Sequence, residues 1–500
     1  MKTANRLLWT FLLLLAVLPT KATMYYSLSF DPAKHYIHVE LNMKELPAGD
    51  LTMVLPVWAP GYYNLAFFPK NITDFCPMKS DGTKLKWTKE GATRWIVDKG
   101  SASDVKLTYR VYSNFINVCE AMVDSTHAFV PLSGICMYRL GQVKEPVDLT
   151  VTPFPAWKEI TTAMDIVSST APYKLKAPDF DVLYDSPILL GNQHIADFDL
   201  DGHGYQVVTP QGAPVDERVI PSLKKMIAAT TKMFGETPYK DYKFMWLGKG
   251  MGGLEHAACQ ADYSGLDFTF KDSTEFLDFF SFVSHEFFHL YNIKRIRPIE
   301  LGPFDYEHAV YTPSLWISEG FTNLYSDYDL VRAGIADGDF LLSQLSGHIK
   351  GIEGKEGHKH FTLRQSSYDA WLYFYDSPED TSDRMFSFYL KGPIVGFLMD
   401  IYIRHESNNS RSLDDVMRAL YNKYYKQLQR GFTEEEAWQV INETAGCDMS
   451  EFRRYVETTD EIDYSRLLGY AGLKLDGFTV ERQSKCDPLA AKIRASLLGK

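Results

Sequence analysis

Cysteine is scarce. Six thiols (Cys76, Cys119, Cys136, Cys259, Cys447 and Cys486) are spread over 500 residues, none in a C-x-x-C spacing. A disulfide scaffold and a structural zinc site are therefore not indicated, although Cys119 and Cys136 are candidates for a bridge between neighbouring strands. No Lys/Arg-rich tract occurs and the formal charge is -12. A phosphate-binding surface needs the opposite sign, so nucleic acid is not an expected partner. There is no internal repeat and no low-complexity tract. Long hydrophobic runs are missing but for one, Leu7 to Leu18, which follows Lys2 and Arg6 and precedes small residues around Ala22. That is a secretory signal layout, too short to span a bilayer. Residues 1–22 are expected to be removed, leaving an exported chain, periplasmic or extracellular, without a transmembrane segment.

What is present is ordinary globular material: 45% hydrophobic, 23% charged and 14% aromatic residues. The length exceeds what one hydrophobic core organises, so two or three domains are expected. From Met24 to about Val208, short alternating segments such as HYIHVELNM, RWIVD and DVKLTYRVYS are separated by turn signals such as APGYYN and DGHG. They predict an antiparallel β domain. After Gly212 the period turns helical, broken by one strand-like segment, YKFMWLG. The helix carrying HEFFH is expected to start at Ser273 or Thr274 and to stop at Pro298. The whole is a multi-domain α+β chain: an N-terminal β domain (23–210), a mixed catalytic segment (211–335), a helical domain (336–480) and a tail (481–500).

The five residues HEFFH, 285–289, place two imidazoles inside an aromatic helix. Side chains four apart on a helix are separated by about 40° around the axis and one turn along it, so His285 and His289 can reach one ion. Glu286 is rotated by about 100° and can act as general base without competing as a ligand. H-E-x-x-H in a helix is a zinc motif, and zinc used for hydrolysis takes a third protein ligand while keeping one position open. Glu319, in LWISEGFTNLY 30 residues after His289, lies mid-helix in an apolar stretch where an unpaired carboxylate is costly to bury. The expected site is therefore one Zn²⁺ on His285, His289 and Glu319. Partners that orient the two imidazoles are also expected, with Asn323 and Asp327 as candidates.

The motif and the downstream glutamate together resemble the gluzincin arrangement. GKGMGGLEHAACQ, with Gly252, Gly253 and Glu255, resembles the edge by which aminopeptidase N relatives present backbone groups and a carboxylate to the substrate's free amine. FSFYLKGPIV, with Tyr389, resembles the place of their oxyanion-stabilising tyrosine. With LPVWAPGYYNLAFFPKNITDF near the start and YSRLLGYAGLKL near the end, these motifs run collinearly from Tyr25 to Leu475 in a pattern similar to the glycyl aminopeptidase family of metallopeptidases. The resemblance implies a β-rich N-terminal domain, a thermolysin-like catalytic domain, a helical C-terminal domain, zinc, and release of small N-terminal residues such as Gly or Ala. Many members continue into a PDZ domain, for which the 25 residues after Leu475 are too few.

The implied substrates are peptides with a free N-terminus. Two alternatives use the same residues: a zinc endopeptidase in which Glu255 does not close the site, and a non-catalytic peptide-binding protein. Blocking the substrate's amine separates the first from an aminopeptidase. The intact set of Glu286, three ligands and Tyr389 speaks against the second.

Overall fold

The structure is a computed structural model describing residues 24–264, 268–373 and 382–499; the expected signal segment, residues 1–22, lies outside these. The N-terminal part is built from three sheets. The largest has seven strands, with Met24–Asp31 at its centre between Tyr36–Met43 and Val147–Val151. Alternation writes itself into burial: Tyr26, Leu28, Ile37, Val39 and Leu41 face the core while their neighbours face outward. The pairing is antiparallel but for Met24–Asp31 against Val147–Val151, which run parallel. All six cysteines are free thiols, so no bridge joins Cys119 to Cys136.

A five-stranded sheet comes next, in the order His194–Leu200, His203–Thr209, Asp241–Lys249, Cys259–Ser264, Gly252–Glu255. The division expected at residues 210/211 cuts this sheet, because His203–Thr209 pairs in parallel with Asp241–Lys249. Local alternation looks the same on either side of that point; only long-range hydrogen bonding assigns the hairpin. The sheet is apolar on both faces. Met245, Leu247, Leu254 and Ala261 pack on the N-terminal β core, whereas Tyr242, Phe244 and Trp246 pack on helices Val219–Phe234 and Ser273–Phe288. The central strand thus ties both cores together, and Phe244 to Leu247 within its YKFMWLG run are buried without interruption for that reason.

The helices after residue 313 share one continuous core with the sheet's inner face. Gly338–Glu353, Phe388–Glu406 and Glu434–Ala445 form where apolar residues recur at helical spacing. The helical domain expected to end at 480 closes on a hairpin of Leu473–Asp476 and Thr479–Arg482, and the expected tail, 481–500, is structured: Pro488–Leu498 is a helix capped by the Asp487 side chain. Its Leu497 and Leu498 are buried in the helical core. Among the described residues, no helix is long and apolar enough to cross a membrane.

Candidate zinc centre and peptide cleft

The HEFFH helix spans Ser273–Phe288, with Asp272 rather than Ser273 or Thr274 as N-cap; its carboxylate accepts from Glu275 N at 2.9 Å. The two phenylalanines explain why the motif sits in aromatic sequence. Phe287 packs on Tyr242 with centroids 5.2 Å apart, and Phe288 stacks on Tyr325 at 4.6 Å. Together they fix the rotation of the helix, which turns His285, Glu286 and His289 toward the cleft. The helix stops at Phe288, not near Pro298. Past it, the Arg295 guanidinium donates to the Leu290 carbonyl, and the chain leaves as irregular turns to Pro298.

Glu319 lies in a π-helical turn, Trp316–Phe321, that runs into helix Thr322–Arg332. Such turns are rare and concentrate at functional sites. Gly320 explains its placement: a Cβ there would lie 2.6 Å from the Cα of Gly392. This backbone-to-backbone approach brings the start of helix Phe388–Glu406, and with it Tyr389, against the Glu319 turn.

The three expected ligands converge. Glu319 Oε2 lies 3.5 Å from His285 Nε2 and 3.2 Å from His289 Nε2, and the two nitrogens are 3.0 Å apart. His289 Nδ1 meets the Asn292 carbonyl at 2.7 Å. A carbonyl only accepts, so Nδ1 carries a hydrogen and Nε2 is the nitrogen turned inward, where a metal would displace its proton. Asn292 in turn donates to Ile317 O, Ser318 O and Thr322 Oγ1, joining the motif helix to the Glu319 turn. Glu319 Oε2 is buried without a hydrogen bond. Two imidazole nitrogens and an orphaned carboxylate oxygen facing one point are a donor set that fits zinc. A second group within the same reach, Glu255, Glu286 and His289, has one nitrogen and two carboxylates. The nitrogen-rich set suits zinc better.

Charge in this pocket is tightly coupled. Burial opposes charge on Glu319, yet the two histidines hold its carboxyl well below the usual carboxylate range. Burial likewise opposes the His289 cation, but Glu319 and Glu255 overcome it and push the pKa up to about 10. Glu286 is pushed well above the usual range, first by burial and, against the pull of His289, by Asp262 and Glu255. A group that holds a proton this readily suits a general base. Tyr389 is raised by burial and by Glu319 and Glu286, and its ring lies 5.9 Å from that of His285.

The edge strand Gly252–Glu255 closes one side of the cleft. A Cβ on Gly253 would fall 2.2 Å from Glu286 Oε1, so only glycine lets this strand lie on the Glu286 carboxylate. Gly252 has φ +104° and begins the strand. Glu255, at its end, is 4% exposed. Of the two candidate orienting residues, Asn323 has its amide on the Tyr389 carbonyl (3.0 Å) and shares the cleft wall with His285. Asp327 accepts from Ser281 at 2.7 Å instead, because its helix position points toward the motif helix one turn before His285. Burial pushes it up to about 7.

The N-terminal β domain completes the centre, which local sequence did not reveal. In the loop APGYYN, Tyr63 donates to Glu319 Oε1 at 2.5 Å, across 256 residues of chain. Two residues earlier, Gly61 (φ +94°) covers Glu255: a Cβ there would lie 2.5 Å from the carboxylate. The only signal was a turn with two tyrosines among the collinear motifs. We expect Tyr63→Phe to reduce kcat/KM or zinc affinity by about 10- to 100-fold, as for other residues that orient a metal ligand. Unchanged zinc affinity and turnover would exclude a role for this hydroxyl.

Two family models match the chain: the Peptidase M61 N-terminal domain over residues 25–192 and the M61 glycyl aminopeptidase over 278–395, together more than half of it. No curated protein is significantly similar to it in sequence. Among solved structures, an aminopeptidase N family protein from Idiomarina loihiensis is similar with TM-score 0.83 and 26% identity, covering 91% of this chain and 78% of that one. A mutant M1 zinc metallopeptidase from Deinococcus radiodurans bound to a Tyr-Ser-Ala substrate has TM-score 0.55 at 12% identity, covering 88% and 95%. Leukotriene A4 hydrolase from Saccharomyces cerevisiae has TM-score 0.51 at 14% identity, covering 94% and 69%. The last two likenesses concern the fold alone.

Proposed function

Because this chain belongs to the M61 glycyl aminopeptidase family and is a metallo-aminopeptidase, we propose that it is an exported zinc enzyme that removes the first residue of peptides, Gly and Ala among them. Its substrates are peptides with a free N-terminus. Carrying this assignment is one observation: the Glu255 carboxylate lies within 4.8 Å of the ligand atoms of Glu286 and His289. An ammonium held there is within reach of the general base, so cleavage is confined to the adjacent peptide bond.

His285, His289 and Glu319 would hold one zinc ion, which when bound polarises the scissile carbonyl and lowers the pKa of water to about 7. Glu286 takes the proton from the attacking water and delivers it to the leaving nitrogen. The Tyr389 hydroxyl donates to the oxygen that becomes negative, in a cleft walled by Gly252, Gly253, Phe282 and Asn323. Glu255 neutralises the substrate ammonium by a charge-assisted hydrogen bond. Tyr63 and Asn292 keep Glu319 and His289 aimed inward.

The test is hydrolysis of aminoacyl-arylamides, free and N-acetylated. Acetylation is expected to abolish turnover, since it removes the charge that Glu255 pairs with. Cleavage of blocked peptides at internal bonds would instead establish an endopeptidase with the same centre.

A further inference from the structure

Beside the cleft, with Gly61 lining both, lies a cavity of about 170 Å³ walled in part by Trp58, Tyr63, Ile293 and Phe304. Five charged side chains line it: Asp181, Asp185, Glu255, Lys294 and Arg297. Three of them are satisfied. Lys294 Nζ donates to Asp185 Oδ1 at 2.6 Å, and Asp185 Oδ2 accepts from Ala257 N at 2.8 Å. Asp181 accepts from Tyr306 and from Lys144, each at 2.6 Å.

The other two are not. Among the described residues, the Glu255 carboxylate and the Arg297 guanidinium make no hydrogen bond to another side chain and no ion pair, and they do not pair with each other. Arg297 is half-buried and lies flat on Gly302, where a Cβ would come within 2.5 Å of Cζ, with the Phe304 ring 5.4 Å away. Arg297 feels Asp181 and Asp185, and Glu255 feels His289 and Lys294, as neighbouring charges without a direct hydrogen bond, so both keep capacity for a charge-assisted bond to a ligand. One cavity therefore presents a carboxylate and a guanidinium that no side chain hydrogen-bonds among the described residues, and together they match a ligand carrying an ammonium and a carboxylate.

In a peptide the α-carboxyl of the first residue is part of the bond to be cut, so the carboxylate must come from its side chain. We propose that this cavity receives the side chain of the substrate's first residue and that Arg297 selects aspartate or glutamate there. The inference rests on the assignment of Glu255 as the group that holds the ammonium. Gly and Ala leave the cavity unfilled and use the ammonium contact alone; an acidic residue uses both charges. Arg297 touches the substrate's side chain and not the reacting atoms, so it determines specificity.

The experiment compares kcat/KM for Asp- against Asn-arylamide, Glu- against Gln-arylamide, and Ala-arylamide as the uncharged reference. Each acid and its amide have nearly the same shape, so their ratio reads charge. For the wild type at least one acid:amide ratio is expected to exceed about tenfold, because a buried donor left unpaired penalises the uncharged analogue. In Arg297→Met that ratio is expected to fall to one or below, with Arg297→Lys between. A ratio needs no correction for the amount of folded enzyme. Wild-type ratios at or below one, with Ala-arylamide still turned over, would overturn the acidic pocket and leave the aminopeptidase intact. A ratio that survives Arg297→Met would overturn the role of Arg297. No turnover of any free aminoacyl substrate would overturn both proposals.

Discussion

Glu286→Gln is expected to lower kcat by about 10²- to 10⁴-fold, the range typical for loss of a general acid–base. The substitution keeps the shape that fits beneath Gly253 but cannot accept a proton. Zinc content is expected to match the wild type, because His285, His289 and Glu319 are untouched. The melting temperature is expected to be at or above wild type. Burial and the carboxylates of Asp262 and Glu255 already disfavour charge on Glu286, and an amide removes that repulsion. Metal analysis, thermal melting and kinetics on one preparation check all three. Activity within tenfold of wild type at full zinc would remove Glu286 from the mechanism.

Stripping the metal is expected to have the other large effect: complete loss of hydrolysis, restored by stoichiometric zinc, with a lower melting temperature. Stability changes because the ion binds the folded site and not the separated ligands. At a free ion concentration 100 times Kd this linkage is worth about 2.7 kcal/mol. The remaining protein retains two imidazoles and a carboxylate in a pocket where Glu319 is 2% exposed. Mutual attraction of Glu319 and His289 offsets part of the loss, so the fold is expected to survive with a melting temperature lower by several degrees. Dialysis against a chelator, then calorimetry and assay with and without added zinc, measures it. Undiminished activity in protein verified to be metal-free would overturn the zinc assignment.

The centre was legible in the sequence where it depends on local geometry. A helix brings residues i and i+4 to one face whatever surrounds it, so His285 and His289 are paired by spacing alone, with Glu286 beside them. Element type was legible for the same reason along the N-terminal strands and in Gly338–Glu353 and Glu434–Ala445, where burial tracks the period. Boundaries were less so. Ser273 and Thr274 read as caps, but Asp272, one residue earlier, accepts the Glu275 amide. Nothing local announced that the motif helix would end at Phe288, since the turns beyond it are held by the Arg295 contact to the Leu290 carbonyl. The sheet that the hairpin His194–Thr209 joins was not legible either, because strand period is identical in both sheets and pairing is a long-range property.

By itself, then, the sequence determined that His285 and His289 share one helix face with Glu286 beside them, the order of β-rich and helical parts, and Glu319 as a carboxylate in apolar surroundings. Tertiary structure alone decided what meets them. The Gly320–Gly392 approach sets Tyr389 beside Glu319, the Gly253 strand lies on Glu286, and the loop at Gly61–Tyr63 reaches from the other domain to Glu255 and Glu319. The same folding brings Arg297 to the wall of a cavity that Glu255 also lines. Spacing within one helix is fixed by backbone geometry. Contacts across 256 residues depend on how separate elements bury their apolar faces, and no local pattern encodes that.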